Sequence, residues 1–303
     1  MFLGALTIRG PLRRALTNQY FGQVTGSNTT VYTRQRSNQQ ILCRSFSASA
    51  PSLAPKAAAL IIGNEILSGS IVDTNTPWLA KLLYSRGVDL VRVEYIPDDK
   101  ADISQSVLKL KERVGQDGFV FTSGGIGPTH DDVTYEAIAA AFGVGLELHQ
   151  PTVERMKENY SKRGVELNEA RLRMAKLPQT SQVLFTPDLW VPLVNLRGVY
   201  VLPGIPRLFQ AMIEAHKEPF RGPTCSTATL YTNTVEGDLA DPLRQVAQEH
   251  PGVSIGSYPN VAQCTDAQTF RVRLQLESRD KEALDAAVAA VTAAVQCIPA
   301  PAT

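Results

Sequence analysis

The sequence predicts a doubly wound α/β domain with a mainly parallel sheet, followed by a small α+β domain. Two observations carry this. Short apolar runs alternate with amphipathic helical stretches from Ala57 to about Arg221, and chemically loaded loops follow directly on those apolar runs. A third concerns the end of the chain: after Arg221-Gly222-Pro223, a plausible boundary, the order becomes β-α-β-β-α with alternating apolar residues.

The elements follow in order. Ala57 to Gly63, AAALIIG, is a buried strand ending in glycine, and Leu79, Leu82 and Leu83 mark a helix that stops at Arg86-Gly87. Val88 to Ile96 reads as a strand, and Ile103 to Val114 as an amphipathic helix. Gly118 to Thr122 is a second buried strand, and Tyr135 to Phe142 an Ala-rich helix closed by Gly143. Pro151 to Ala175 is a charged helical stretch broken at Arg163-Gly164. Strands follow at Val183-Leu184 and Gly198 to Leu202, then a helix from Leu208 to about Lys217. In the second domain, strands are expected at Thr227 to Val235, Val253 to Tyr258 and Thr269 to Glu277, with helices at Leu239 to Glu249 and Lys281 to Val295. The expected boundaries are 57–222 and 223–299.

At 303 residues, 44% hydrophobic and 19% charged, the chain has the composition of a soluble enzyme. A net charge of +1 gives no reason to expect a nucleic-acid partner or an anionic membrane, and no run approaches the ~18 apolar residues of a membrane span. Cys43, Cys225, Cys264 and Cys297 are scattered, which argues against a zinc site or a disulfide framework. The stretch before Glu65 contains no acid but carries Arg9, Arg13, Arg14, Arg34, Arg36 and Arg44 among many Ser, Thr, Asn and Gln. That composition predicts a mitochondrial transit peptide over 1–50 and location in the matrix; a disordered cytosolic tail is the alternative.

The chemical centre is TSGGIGPTHDDVTYE, Thr122 to Glu136. Gly124, Gly125 and Gly127 let a backbone approach a ligand closely, and successive N–H groups there form an anion nest. The hydroxyls of Thr122, Ser123 and Thr129 add donors, and a helix N-terminus follows. Asp131 and Asp132 beside a polyanion would repel it unless a divalent cation lies between them, and magnesium-like ions use one or two carboxylates plus phosphate oxygens. Asp132 also stands near a helix start, so capping is open to it as well. In the first loop, Asn64, Glu65, Asp73 and Asn75 cluster around Gly63 and Gly69; taken alone, Asp73, Thr74 or Asn75 caps the next helix. Asn168, Arg171, Arg173 and Lys176 form a basic helical segment able to clamp phosphate, although a solvated face is the commoner outcome. His130 lies inside the motif, and no Ser-His-Asp or Cys-His arrangement points to a protein nucleophile.

Four ordered motifs resemble a known family: Gly63-Asn64-Glu65-Ile66-Leu67-Ser68-Gly69, Asp73-Thr74-Asn75, the Gly-Gly-Ile-Gly-Pro-Thr-His-Asp-Asp run, and Leu202-Pro203-Gly204-Ile205-Pro206. Together they look like the molybdopterin-binding-like domain of the competence-damage-inducible protein A family, and more closely the N-terminal domain of eukaryotic FAD synthases. The segment Ile255 to Pro259 resembles a stretch that follows that domain. Arg207-Leu208 stands where bacterial members usually place Glu, as in the eukaryotic branch. The resemblance does not extend to the PAPS-reductase-like domain that makes FAD, nor to the bacterial amidohydrolase domain, so synthesis of FAD is not implied.

What the resemblance does imply is metal-dependent hydrolysis of a nucleotide pyrophosphate such as FAD or ADP-ribose. The implied catalytic and metal residues are Asp131 and Asp132. The implied substrate-binding residues are Thr122, Ser123, Gly124, Gly125, Gly127, Thr129, Asn64, Glu65, Asp73, Asn75, Arg173, Lys176, Pro203 and Gly204. The implied partners are a small dinucleotide and a second copy of the chain. A non-catalytic pterin or nucleotide module and adenylyl transfer to molybdopterin are the alternatives.

Overall fold

The computed structural model describes residues 54–260 and 270–300. The expected transit peptide lies outside the described residues.

The first domain opens with β1 (Lys56–Ile62), a four-residue helix α1 (Asn64–Leu67), α2 (Asn75–Ser85) and β2 (Asp89–Ile96). Next come α3 (Lys100–Val114), β3 (Phe119–Ser123), α4 (Thr134–Ala141) and β4 (Leu146–Leu148). Then α5 (Gln150–Lys162), α6 (Glu169–Leu172), β5 (Lys176–Pro178) and β6 (Gln182–Leu184) lead to β7 (Leu193–Leu196), β8 (Val199–Leu202) and α7 (Pro206–Ala215). The main sheet has the order β2-β1-β3-β8-β7-β6. β2, β1, β3 and β8 run parallel, while β7 and β6 are antiparallel additions at one edge.

β1 is buried from Ala57 to Ile62 because helices cover both faces of the parallel sheet, which is why it reads as a continuous apolar run. α3 shows how a covering helix is specified. The Asp99 side chain accepts from the N–H groups of Ala101 and Asp102 at its start, and Ile103, Val107, Leu110 and Val114 recur on its buried face. Each such side chain contributes about 1.5–3 kcal/mol on burial. Beyond the sheet, Phe220 packs edge-on to Phe121 and Tyr200, with centroids 4.9 Å from each.

The register positions the site. Ile61 pairs with Ser123, and Ser123 with Leu202, so β1, β3 and β8 end side by side. The loops that follow them therefore emerge at one edge.

Four short elements depart from the sequence expectation. β4 and β5 form a separate two-stranded ribbon, and the charged helical stretch ends in a 3-10 turn at Arg173–Ala175. β7 arises because Arg197 (φ 51°) and Gly198 (φ 84°) make a two-residue turn into β8. Such turns are normally announced by Asn-Gly or Asp-Gly, and Arg-Gly lacks that signal.

The second domain contains β9 (Ser226–Thr232), α8 (Glu236–Glu249), β10 (Ser254–Pro259), β11 (Val272–Ser278), α9 (Lys281–Ala294) and β12 (Cys297–Ile298). Its sheet is antiparallel throughout, in the order β10-β11-β9-β12. Val272, Leu274 and Leu276 alternate toward Leu239 and Val246 of α8 and Leu284, Ala287 and Val291 of α9. The two domains meet through polar contacts of Arg279, which pairs with Asp89 at 2.7 Å and donates from Nε to Pro223 O at 3.0 Å. No helix among the described residues is long and apolar enough to cross a membrane.

Candidate functional site

A cavity of about 510 Å³ opens at the shared edge of β1, β3 and β8. Its polar side is the glycine loop. The Gly124 N–H donates to Leu202 O at 3.1 Å, and Gly124 takes φ +111° where an added Cβ would stand 2.1 Å from Ile62 O. Only glycine fits there. At Gly127 an added Cβ would lie 2.6 Å from Asp132 Oδ2, so the missing side chain is what admits the carboxylate.

Asp132 Oδ2 accepts from the Thr129 N–H at 2.9 Å and also from the Thr129 hydroxyl. α4 begins at Thr134 without a side-chain cap, so the capping alternative for Asp132 is not realised. Its carboxylate is turned back to close the loop instead. Asp131 is half-exposed, and hydrogen bonding from the Thr129 side chain, followed by a backbone N–H, holds its carboxyl below the usual carboxylate range.

The first loop splits its duties. Asp73 Oδ1 accepts from the N–H of Asn75 (2.8 Å) and of Thr76 (3.2 Å), and Oδ2 accepts from the Tyr95 hydroxyl at 2.9 Å. Asp73 thus serves the start of α2 while also lining the cavity. Asn75 is 3% exposed and spans from α2 to the last residue of β3 and the loop after β8.

Of the residues singled out in the sequence, Glu65, Asp73, Asn75, Ser123, Gly124, Gly125, Gly127, Asp132, Pro203 and Gly204 line the cavity. Asn64, Thr122, Thr129, Asp131, Arg173 and Lys176 lie outside its lining. Thr122 is fully buried within β3. Arg173 is occupied elsewhere: its guanidinium donates to Thr129 O at 3.0 Å and Asp132 O at 3.4 Å, and meets Glu136 at 3.4 Å. It braces the acidic loop from behind. Lys176 is exposed on β5 opposite Leu148.

Two features escaped the sequence reading. One is the apolar wall, formed by Ile66, Ile71, Val72, Ile126, Met174 and Trp190. These residues come from α1, a 3-10 turn and separate loops, and share no period. The other is Asp98, whose Oδ2 accepts from the Asn64 N–H at 2.9 Å and whose Oδ1 would lie 3.5 Å from a Cβ on Gly125. Burial raises its pKa first, and the charges of Glu65, Asp131 and Asp132 raise it further, against the lowering effect of the Asn64 N–H. Its signal was available: Asp98 follows the end of a parallel strand, where ligand-binding residues gather.

Among the described residues, no group of three or more His, Cys, Asp or Glu side chains is placed to hold a metal unaided. The carboxylates nevertheless suit a hard divalent cation that completes its shell with water and phosphate.

A parallel-dominated sheet with a glycine loop, acids beside it and an apolar wall defines an α/β domain whose cavity opens at its strand ends. Residues 58–221 match the family described as the probable molybdopterin binding domain, and the chain belongs to that family. Residues 224–298 match the FAD synthase, middle domain. A protein of Aeropyrum pernix is 35% identical over 215 residues, covering 68% of this chain and 79% of its own length. The probable FAD synthase of Caenorhabditis elegans is 34% identical over 258 residues, covering 77% of this chain; the match spans 48% of that protein. The crystal structure of CinA from Thermoplasma acidophilum, a protein of unknown function by its description, superposes with a TM-score of 0.50 at 30% identity. That match covers 55% of this chain and 98% of the other.

Proposed function

We propose that this chain hydrolyses the pyrophosphate of a dinucleotide, with FAD as the leading substrate, in a reaction that depends on a divalent cation. The observation that carries the reading is the union, in one cavity, of an anion-binding glycine loop with a wall able to pack a heteroaromatic ring. Kinship with a probable FAD synthase and with the FAD synthase middle domain supports a flavin nucleotide as the ligand. The mitochondrial matrix is the proposed compartment, on the acid-free, Arg-rich start of the sequence.

With the Gly124 N–H committed to Leu202 O, the N–H groups of Gly125, Ile126 and Gly127 would bind the diphosphate and orient it. Asp131 and Asp132 would hold the cation, which when bound supplies charge neutralisation at a phosphoryl oxygen and a more acidic water. Thr129 fixes the Asp132 carboxylate, and Arg173 fixes the backbone on which both acids stand. Addition of water across the P–O–P bond of FAD yields FMN and AMP.

The test is incubation of the purified protein with FAD and with ADP-ribose over a panel of divalent cations, followed by chromatography. FMN and AMP should form from FAD, and chelation should abolish the reaction. Intact FAD and ADP-ribose under every condition would remove the hydrolase reading; full activity with excess EDTA would remove the metal from it.

A further inference from the structure

Asn75 reaches both the end of β3 and the loop after β8 at the cavity. It stands at the start of α2 and is 3% exposed. Its Nδ2 donates to Ser123 Oγ at 3.0 Å and to Gly204 O at 2.9 Å. Both amide protons are therefore committed, and the amide cannot turn over without breaking both bonds. Its Oδ1 is buried and has no hydrogen-bond partner among the described residues. A buried oxygen of that kind is out of a ligand's reach, so the influence of Asn75 on a ligand runs through what its nitrogen holds.

What it holds is Ser123, which is 3% exposed and lines the cavity next to Gly124. A hydroxyl has two acceptor lone pairs and one donor proton. With Asn75 donating to the oxygen, the Ser123 proton is the group left to give. We infer that Asn75 is a positioning residue that makes the Ser123 hydroxyl a donor toward the ligand's phosphate. The inference rests on reading this cavity as a phosphate site. The orphaned Oδ1 supports it: leaving a buried acceptor unpaired is costly, and the compensation is a fixed orientation of the nitrogen. The same contact with Gly204 O ties the loop after β8 to the glycine loop, so the donor and its surroundings are set together.

The experiment uses the full chain with a divalent cation present and titrates calorimetrically with FMN and with riboflavin, neither of which has a pyrophosphate to cleave. AMP and adenosine form a second pair. Each pair differs only by the phosphate. The variants are Asn75→Ala, Ser123→Ala and the double substitution, each with a melting curve. Each single substitution should weaken FMN or AMP binding on the order of tenfold, the range for a hydrogen bond to a charged group. Binding of the unphosphorylated partner should hold. The double substitution should be no weaker than Ser123→Ala alone, since Asn75 acts through that hydroxyl. If Asn75→Ala does not fold, Asn75→Asp keeps the shape but cannot donate to Ser123, and the same cycle applies.

Equal losses for the phosphorylated and unphosphorylated ligands, or additive losses in the double variant, would overturn the role of Asn75 and leave the phosphate-site reading standing. Failure of the unmodified protein to bind FMN, AMP or FAD would overturn both.

Discussion

The two domains are each a sheet covered by helices, yet the described cavity is lined only by residues of the first. Strand direction accounts for the difference. In the first domain β1, β3 and β8 run parallel and end in register, so three sequence-distant loops meet at one edge. In the second, every pairing is antiparallel, so successive strand ends fall on opposite edges. The lesson is that a parallel sheet concentrates loops, and with them close backbone approaches, while a small antiparallel sheet spends its side chains on one buried face.

This contrast can be broken most severely at Gly124. Gly124→Ala places a Cβ 2.1 Å from Ile62 O at a positive φ, and we expect a loss of about 3 kcal/mol or more together with loss of turnover. Denaturant unfolding and steady-state hydrolysis on one preparation measure both. A stable, active variant would show that the loop end is looser than its geometry implies.

Asp132→Asn separates site from scaffold within the same loop. Asn keeps an acceptor for the Thr129 N–H but removes the charge offered to a cation. Turnover should fall by about a hundredfold or more, while the melting temperature moves by only a few degrees. A collapsed melting temperature with a proportional loss of activity would make Asp132 a structural closure of the loop.

In the second domain the largest single effect should be on stability. Leu274 is fully buried under both helices, and Leu274→Ala should cost about 2–5 kcal/mol. KM for FAD should hold under conditions where the variant is folded. A raised KM would mean that the second domain shapes the cavity through the contact of Arg279 with Asp89.

The smallest effect is the mirror of the first. Gly237 stands in the first turn of α8, and an added Cβ there meets nothing within 4 Å. Gly237→Ala should stabilise by roughly 0.4–1 kcal/mol with activity unchanged. A slightly raised unfolding midpoint at constant denaturant slope is the expected signature; destabilisation would mean that the backbone there needs more freedom than the helix implies.

Much of this could be read along the chain. The apolar run of β1, the period of α3 and the alternation Val272, Leu274, Leu276 are local signals, because burial on one or both faces imposes its own spacing. The glycine loop was equally legible, since Gly124 answers to a backbone constraint that no other residue meets. What the sequence by itself determined, then, was the existence and order of the elements and the chemistry of that loop. Tertiary structure decided the partners. Arg173, a phosphate clamp by residue type, became a brace because Thr129 O, Asp132 O and Glu136 stand within its reach. Asp98 joined the acids because β2 ends beside β1, and Ile71, Met174 and Trp190, from three separate segments, came together as a wall only on packing. Periodicity records which face of an element is buried; distances between residues far apart in sequence are set only when the sheet assembles.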